Sequence, residues 1–522
     1  MKYLGLAGSR LHDAGVTLID GNGDILFASQ AERFTSIKHD SRIPRVMWEN
    51  YYEPHKDDII VASNDDWELR KKFRDGELIL AAEKEHKVNI DETSEKVPLH
   101  NLHPRAWPER IGSNICGHHK AHAAACFMTR PESFDAEDCV MVVIDGIGEY
   151  RSGGIFDHNL NMLEEFNFPR SVGYLYATFT ESCGLDLTSN EDEYVVMGLS
   201  SYGEPTYAEQ LYEMFLNIPQ FDPDELSSYV ETNEKGNIQA NTFYAVKMMY
   251  LAKTIKTLLR ECSSVEDAAA SLQKCTEMVI CDIMHSARKY GKKLCYSGGV
   301  AQNICANNHL HKIFEDVWVD INPGDGGASL GCAAWKYRED TGRDRINWKH
   351  PYLGYDIEGD LDPEMVVDHL LKHKYCGVAN GPAEFSYRAY GNRSLIADVR
   401  HDVKDTVNTI KRRQKYRPFA PAILEEHAHE YFSGPMNRWM QYAATAKHDY
   451  SSVTHVDGTG RVQLVPKDSK SVFRKIIECY YEKTGVPMLL NTSLNIRGKP
   501  MVNDIEDAMM FENKYDVKVF TK

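Results

Sequence analysis

Apolar residues come in short bursts at the start of the chain. Tyr3 to Ala7, Gly15 to Asp20 and Ile25 to Ser29 read as three strands, with Gly21-Asn22-Gly23-Asp24 as a hairpin turn between the last two. The same grammar returns further on. Cys139 to Ile144 is apolar on both faces and reads as a fully buried strand, Asp145-Gly-Ile-Gly-Glu149 as a tight loop, and Gly153 to Phe156 and Asn161 to Phe166 as strands flanking a turn at Asp157-His-Asn159. Two strand, loop and hairpin units, each with an acidic residue where its first strand ends, predict an internal duplication.

Residues 240 to 260 and 266 to 290 carry apolar positions at three- and four-residue spacing and predict helices. Lys293 to Tyr296 then reads as a strand, Ser297-Gly298-Gly299 as a sharp turn and Val300 to His311 as a helix. Val317 to Ile321 is a further strand, and Asn322-Pro-Gly324-Asp325-Gly-Gly leads into a helix from Ala328 to Tyr337. Glycine-rich loops between a strand and a helix set backbone N–H groups where phosphate oxygens can lie. The polar, turn-prone run 338–350 marks a boundary, giving domains at 1–343 and 344–522.

Composition narrows the class. A chain of 522 residues, 42% hydrophobic, is too long for one small module and too apolar to be disordered. Its apolar opening is broken by Arg10, His12 and Asp13, too early for a signal peptide, and nothing approaches the ~18 apolar residues of a membrane helix. A cytoplasmic protein without a membrane partner is expected. The twelve cysteines form no C-x-x-C pair, so buried reduced thiols are expected rather than a thiolate zinc site. The net charge of -17 is uneven: residues 346 to 522 hold 25 basic and 23 acidic residues, about +2, leaving about -19 on the remainder.

Three stretches carry chemistry. In His118-His119-Lys120-Ala121-His122, ahead of an alanine run, His118 and His122 would share one helical face and could bind a divalent metal, with Asp325 as third ligand. Two imidazoles and a carboxylate suit Fe(II), with Zn and Mn also open; a pair of helix histidines without metal is the plain alternative. Arg388 to Arg393 and Lys411 to Arg417 are cationic runs next to backbone-fixing residues, and guanidinium forks suit phosphate or a mixed anhydride. Met488 to Leu490 reads as a buried strand ending in Asn491, Ser493, Asn495 and Arg497, either a site mouth or a turn.

Together these stretches resemble the O-carbamoyltransferase family of nodulation protein U and the tobramycin carbamoyltransferase. The matching motifs run nearly end to end: His12-Asp13; Glu32-Arg33-Phe34-Thr35 with Lys38-His39-Asp40; His118 to Ala123; Asp145 to Glu149; Met197 to Leu199; Gly298 to Ala301; Gly324 to Gly327; Gly391 to Asp398; Arg417 to Pro421; His455 to Gln463; and Asn491 to Gly498. The resemblance implies a duplicated actin/hexokinase-like (ASKHA) domain akin to the threonylcarbamoyl-transferring Kae1 fold, followed by a YrdC-like twisted-sheet α/β domain. It implies an ATP-dependent enzyme that forms carbamoyl-AMP from carbamoyl phosphate and carbamoylates an acceptor hydroxyl.

By the same resemblance, Arg388, Lys411, Arg417, Arg461 and Arg497 would bind carbamoyl phosphate and ATP phosphates, with Ser493 and Asn495 orienting them. His118, His122 and Asp325 would hold Fe2+ or another divalent metal, Mg2+ would accompany ATP, and Gly298, Gly299, Asn303 and Gly324 would lie against the nucleotide. His12, Lys38 and Asp145 are the catalytic candidates, His12 either as base toward the acceptor hydroxyl or as a phosphate contact. Two departures stand out: Glu193-Tyr194-Val195 lacks a lysine the family carries there, and Gly381 to Arg388 differs around Pro382. The acceptor is open between a sugar or natural-product hydroxyl and a hydroxymethyl-pyrimidine nucleotide or DNA. Alternatives are a catalytically altered metal- and nucleotide-binding scaffold, or an ASKHA-type kinase or ATPase. No motif decides for or against a homodimer.

Overall fold

A computed structural model of the chain describes residues 1–8, 13–41, 43–64, 114–148, 151–189, 191–220, 230–232, 238–240, 242–469 and 471–522. It divides into two compact units, neither contiguous in sequence. The first comprises Met1–Asp24, Ser41–Gln302 and His309–Asn347; the second comprises Ile25–Asp40, Asn303–Asn308 and Trp348–Lys522. Among the described residues no helix is long and apolar enough to cross a membrane.

In the first unit, β1 (Lys2–Ala7) pairs antiparallel with β2 (Gly15–Asp20), Lys2 opposite Asp20 and Ala7 opposite Gly15. The turn after β2 is locked by Asp20, whose Oδ1 accepts from the backbone N–H of Asn22 and of Asp24, both at 2.9 Å. It leads to β3 (Ile25–Gln30), which belongs to the second unit. β1 also pairs in parallel with β4 (Ile59–Ser63).

The connectivity repeats in a second sheet. β5 (Cys139–Gly148), β6 (Arg151–Phe156) and β7 (Met162–Asn167) form an antiparallel meander. β8 (Lys293–Ser297) runs parallel to β5, and β9 (Asp316–Val319) parallel to β8. An opening strand with an antiparallel neighbour on one side and a later parallel one on the other, twice in a chain, is the duplicated actin/hexokinase-like arrangement. The helix α1 (His118–Met128) is Ala-rich and buried, packed against α5 (Ala328–Thr341), the last helix of this unit after α2 (Val172–Ser182), α3 (Thr242–Glu261) and α4 (Val265–Ala287). The helices meet so closely that a Cβ on Gly331 would lie 1.8 Å from the Ala121 carbonyl oxygen.

Two sequence expectations change here. β5 does not end at Ile144 but continues through Asp145 to Gly148, with a register shift between Ile144 and Gly148 that turns it toward the hairpin. The helix expected over 300–311 is broken into a 3-10 turn (Gly299–Gln302), a short helix (Ile304–Asn307) and a second 3-10 turn (Leu310–Lys312). Asn303 restarts the chain there, its side chain accepting from Ala306 N, as an N-cap does.

The second unit is built on a six-stranded mixed sheet of β10 (Tyr375–Ala379), β11 (Arg393–Ala397), β12 (Ala420–Leu424), β13 (Gln463–Val465), β14 (Met488–Ser493) and β15 (Val519–Phe520). Its order is β13-β12-β14-β11-β10-β15. The central β14 is antiparallel to both neighbours. Met488 and Leu490 enter one core with Leu395 and Ile423, while Leu489 enters another with Ile396 and Ala422. Burial on both faces is why these strands read as continuous apolar runs. The helices α6 (Pro363–His373) and α8 (Val472–Thr484) contribute to the second core; α7 (Lys404–Ile410) and α9 (Ile505–Tyr515) contribute Val407 and Phe511 to the first.

Arg33, in the short helix after β3, is buried in this unit, donating to the carbonyls of Val502 (3.2 Å) and Glu384 (3.0 Å). The Glu384 side chain is a hub: its Oε1 accepts from the backbone N–H groups of Tyr390, Asn392 and Arg393.

Candidate metal centre and anion-binding strand end

His118 and His122 begin one face of α1, as their spacing predicts. His118 Nε2 lies 2.9 Å from Asp145 Oδ2 and 3.6 Å from Asp325 Oδ1; His122 Nε2 lies 3.5 and 3.3 Å from the same two atoms. One ligand atom from each of the four residues falls within 4.8 Å of all the others. Asp145 comes from the part of β5 beyond Ile144, and Asp325 from the 3-10 turn Asp325–Gly327 that opens α5.

The residues fit a divalent cation. Both ring nitrogens of His122 are buried without a hydrogen-bond partner, although a buried polar atom is ordinarily satisfied. Two imidazoles and two carboxylates are the donor chemistry of first-row divalent metals. Burial works against ionisation of Asp145, but the hydrogen bond with His118 and the charges of His122, His118 and His119 prevail, holding the carboxyl well below its ordinary range. Its Oδ1 accepts from Gly146 N (2.8 Å) and Gly299 N (3.2 Å), leaving Oδ2 aimed at the imidazoles.

The glycine loops adjoin this centre. Gly298 sits at φ +90°, where a side chain is strained, and its Cβ would lie 2.3 Å from the Ile144 carbonyl oxygen. Gly324 precedes Asp325 as N-cap of its 3-10 turn. Asn303 caps the short helix of the second unit. Lys38 is also in the second unit, its ammonium 3.0 and 2.9 Å from the two carboxylate oxygens of Glu32. His12 lies outside the described residues.

In the second unit, three residues named from the sequence converge. The buried Lys411 Nζ donates toward the backbone and side-chain oxygens of both Ser493 and Asn495, at 2.9 Å for each Asn495 oxygen and 3.2 Å for Ser493 Oγ. Burial, followed by the charges of Arg413 and Arg417, pushes its pKa well below the ordinary lysine value. Arg497 N donates to the Lys411 carbonyl at 3.0 Å, tying the end of β14 to the cationic loop.

Asn491, two residues before Ser493 and hence on the same face of β14, donates to the Ala389 carbonyl and to Gln463 Oε1. That brings in the second cationic group, for Tyr390 lies in the fields of Arg388 and Arg461. Burial lowers the Arg388 pKa. Arg413 has a structural part: it donates to Asn408 Oδ1 (2.6 Å) and stacks on Phe419, 4.2 Å from the ring centroid.

Asp145, a catalytic candidate from the sequence, also lies in the donor cluster with the histidines, a place the sequence reading did not give it; an apolar strand ending in an aspartate beside a glycine loop is the available signal. The Glu384 hub, which holds the 390–393 backbone next to Arg388, left no signal beyond its neighbourhood to a departure at Pro382.

Residues 2–334 match the family described as carbamoyltransferase N-terminus, and residues 367–521 match carbamoyltransferase C-terminus. The chain belongs to the carbamoyltransferase family. It is 28% identical to nodulation protein NolNO of Sinorhizobium fredii, over 97% of this chain and 77% of that protein. It is 30% identical to nodulation protein NolO of Bradyrhizobium diazoefficiens, over 75% of each. To nodulation protein U of Azorhizobium caulinodans it is 25% identical, over 97% of this chain and 96% of the relative.

Proposed function

We propose that the protein is an ATP-dependent O-carbamoyltransferase whose second unit, read as YrdC-like, forms carbamoyl-AMP and whose first unit, read as Kae1-like, transfers the carbamoyl group to an acceptor hydroxyl. The observation that carries this reading is the convergence of Lys411, Ser493 and Asn495 at the end of β14, with Arg417 and Arg497 on the same loops. A buried lysine amino group among hydroxyl, amide and guanidinium groups suits a small anion with a planar polar head, such as carbamate released from carbamoyl phosphate.

The chemistry balances in two steps. Carbamoyl phosphate loses inorganic phosphate to water, and the resulting carbamate oxygen attacks the α-phosphorus of ATP, giving carbamoyl-AMP and pyrophosphate. The acceptor hydroxyl then attacks the carbamoyl carbon, its proton goes to a base, and AMP leaves. Arg388, Lys411, Arg417, Arg461 and Arg497 hold the anions of the first step, and Mg2+ accompanies the ATP phosphates. In the second step, Gly298, Gly299 and Gly324 let the backbone approach the nucleotide, and His12 is the proposed base.

His118, His122, Asp145 and Asp325 would hold Fe2+ or another divalent cation, which when bound supplies positive charge to offset the adenylate phosphate. The acceptor is a small hydroxyl compound, for the first unit is acidic overall and a polyanion is repelled. Retention on immobilised DNA that falls steeply with salt would favour a DNA acceptor instead.

The test is product analysis with ATP and carbamoyl phosphate. Formation of AMP and pyrophosphate that requires carbamoyl phosphate supports the reading. ADP formation would make the protein a kinase or ATPase. Absence of turnover would make it a scaffold, a reading favoured by Val195, which is buried where the family carries a lysine.

A further inference from the structure

Gly148 closes β5 against the metal-type centre. A Cβ built on it would lie 2.2 Å from His118 Cδ2, 2.6 Å from His118 Cγ and 2.9 Å from His119 Cε1. Gly146, two residues earlier in the same motif, has nothing within 4 Å of its Cβ position. The backbone does not explain the glycine at 148, because its φ is not in the left-handed region, whereas that of Gly298 is. Space is the reason.

The His118 ring cannot easily retreat from an added methyl group. Its Nε2 is held by Asp145 at 2.9 Å, and the His122 ring stands edge-on to it at 4.9 Å. Gly148 is itself fixed, paired with Arg151 across the hairpin. Restoring ordinary contact from 2.2 Å needs a shift of roughly 1 Å, several times the ~0.2 Å tolerance of a metal–nitrogen bond.

We infer that Gly148 is a positioning residue for the metal donors: the space left by its missing side chain, bordered by the His118 and His119 rings, sets the depth and plane of the His118 imidazole. The inference rests on the reading that His118, His122, Asp145 and Asp325 hold a divalent cation. It concerns a residue that donates nothing to that cation and acts only through His118.

The test uses the metal-stripped full chain titrated with Co2+, followed by visible absorption and by equilibrium dialysis with metal analysis. Wild type, Gly146→Ala, Gly148→Ala and His122→Ala are compared, with far-UV circular dichroism on each. Gly146→Ala is expected to bind within about threefold of wild type. Gly148→Ala is expected to bind on the order of 10- to 100-fold more weakly, with altered cobalt bands. Binding by Gly148→Ala equal to wild type, while His122→Ala loses the metal, overturns the positioning role and leaves the metal centre standing. No binding by wild type, or equal binding by His122→Ala, overturns the metal reading and the inference resting on it.

A second measurement reads the clash without metal or ligand binding. Gly148→Ala is made in wild-type and in His118→Ala backgrounds, and the urea midpoint of the stripped protein is recorded. The alanine should lower the midpoint less once the ring is gone; an equal loss in both backgrounds overturns the inference.

Discussion

Replacing Glu384 with leucine removes an acceptor that serves three buried backbone donors. Its Oε1 takes hydrogen bonds from Tyr390 N at 2.8 Å, Asn392 N at 2.9 Å and Arg393 N at 3.2 Å. Each orphaned buried N–H costs about 1–3 kcal/mol. The Arg33 guanidinium, also buried and 4.0 Å from Oε2, loses its countercharge, which costs about 3–5 kcal/mol when one partner of a buried pair is removed. The effects overlap as the loop relaxes, so a loss of at least about 4 kcal/mol is expected for Glu384→Leu. Glu384→Gln keeps a carbonyl for the N–H groups and loses only the charge, so it should fall well short of the leucine variant. Urea unfolding of the full chain, followed by tryptophan fluorescence, measures this, since the Trp439 ring packs edge-on to Tyr390 at 5.5 Å. A leucine variant within about 1 kcal/mol of wild type would refute the hub, and so would a glutamine variant as damaged as the leucine one.

Three further outcomes follow from other sites. Lys411 has a folded-state pKa below its ordinary 10.5, so the unfolded chain holds a proton the folded one has released, and stability should rise with pH as it climbs toward 10.5. Lys411→Met should abolish that rise in alkaline urea titrations while also abolishing carbamoyl-phosphate-dependent AMP formation; a variant that keeps both contradicts the assignment. Arg474 holds the Glu426 carboxyl down to about 2, a contribution fully present above the ordinary 4.5 and lost as pH falls through about 2. The stability gap between wild type and Arg474→Met, read by acid-side urea midpoints, should therefore narrow over that window; a constant gap would show that the pair is not its source. Gly331→Ala should lower stability by about 1–3 kcal/mol despite alanine's better helix propensity, because its methyl would meet the Ala121 carbonyl at 1.8 Å, next to His122. A melting temperature unchanged or raised would contradict that packing.

The parts legible in the sequence were those with local periodicity. The His118/His122 pair announced itself because four residues make one helical turn, and β14 because a strand buried on both faces is a continuous apolar run. Asp145 was harder: a Gly-rich pentapeptide reads as a loop, whereas pairing of Gly148 with Arg151 carries it on as strand. The break in the 300–311 helix turned on Asn303 capping a new start and on Asn308, whose amide and carbonyl clasp the Ala443 backbone far along the chain. The contact of Lys38, a catalytic candidate from the sequence, with Glu32 depends on the chain reversing at Ser36, in the left-handed region. Such contacts are made by distant or reversing backbone, which no window of sequence reports.

The membership of residues 25–40 and 303–308 in the second unit bears on how this gene can be divided. The polypeptide passes from one unit to the other at five points, so no single cut yields two complete halves. A fragment beginning at Trp348 would carry Glu384 without Arg33, and the Gln441–Ala443 backbone without Asn307 and Asn308. Recombination that exchanged residues 348–522 alone would have to bring matching residues 25–40 and 303–308 with it. Substitution within either unit leaves these shared pieces in place, whereas shuffling residues 348–522 against a foreign segment separates them.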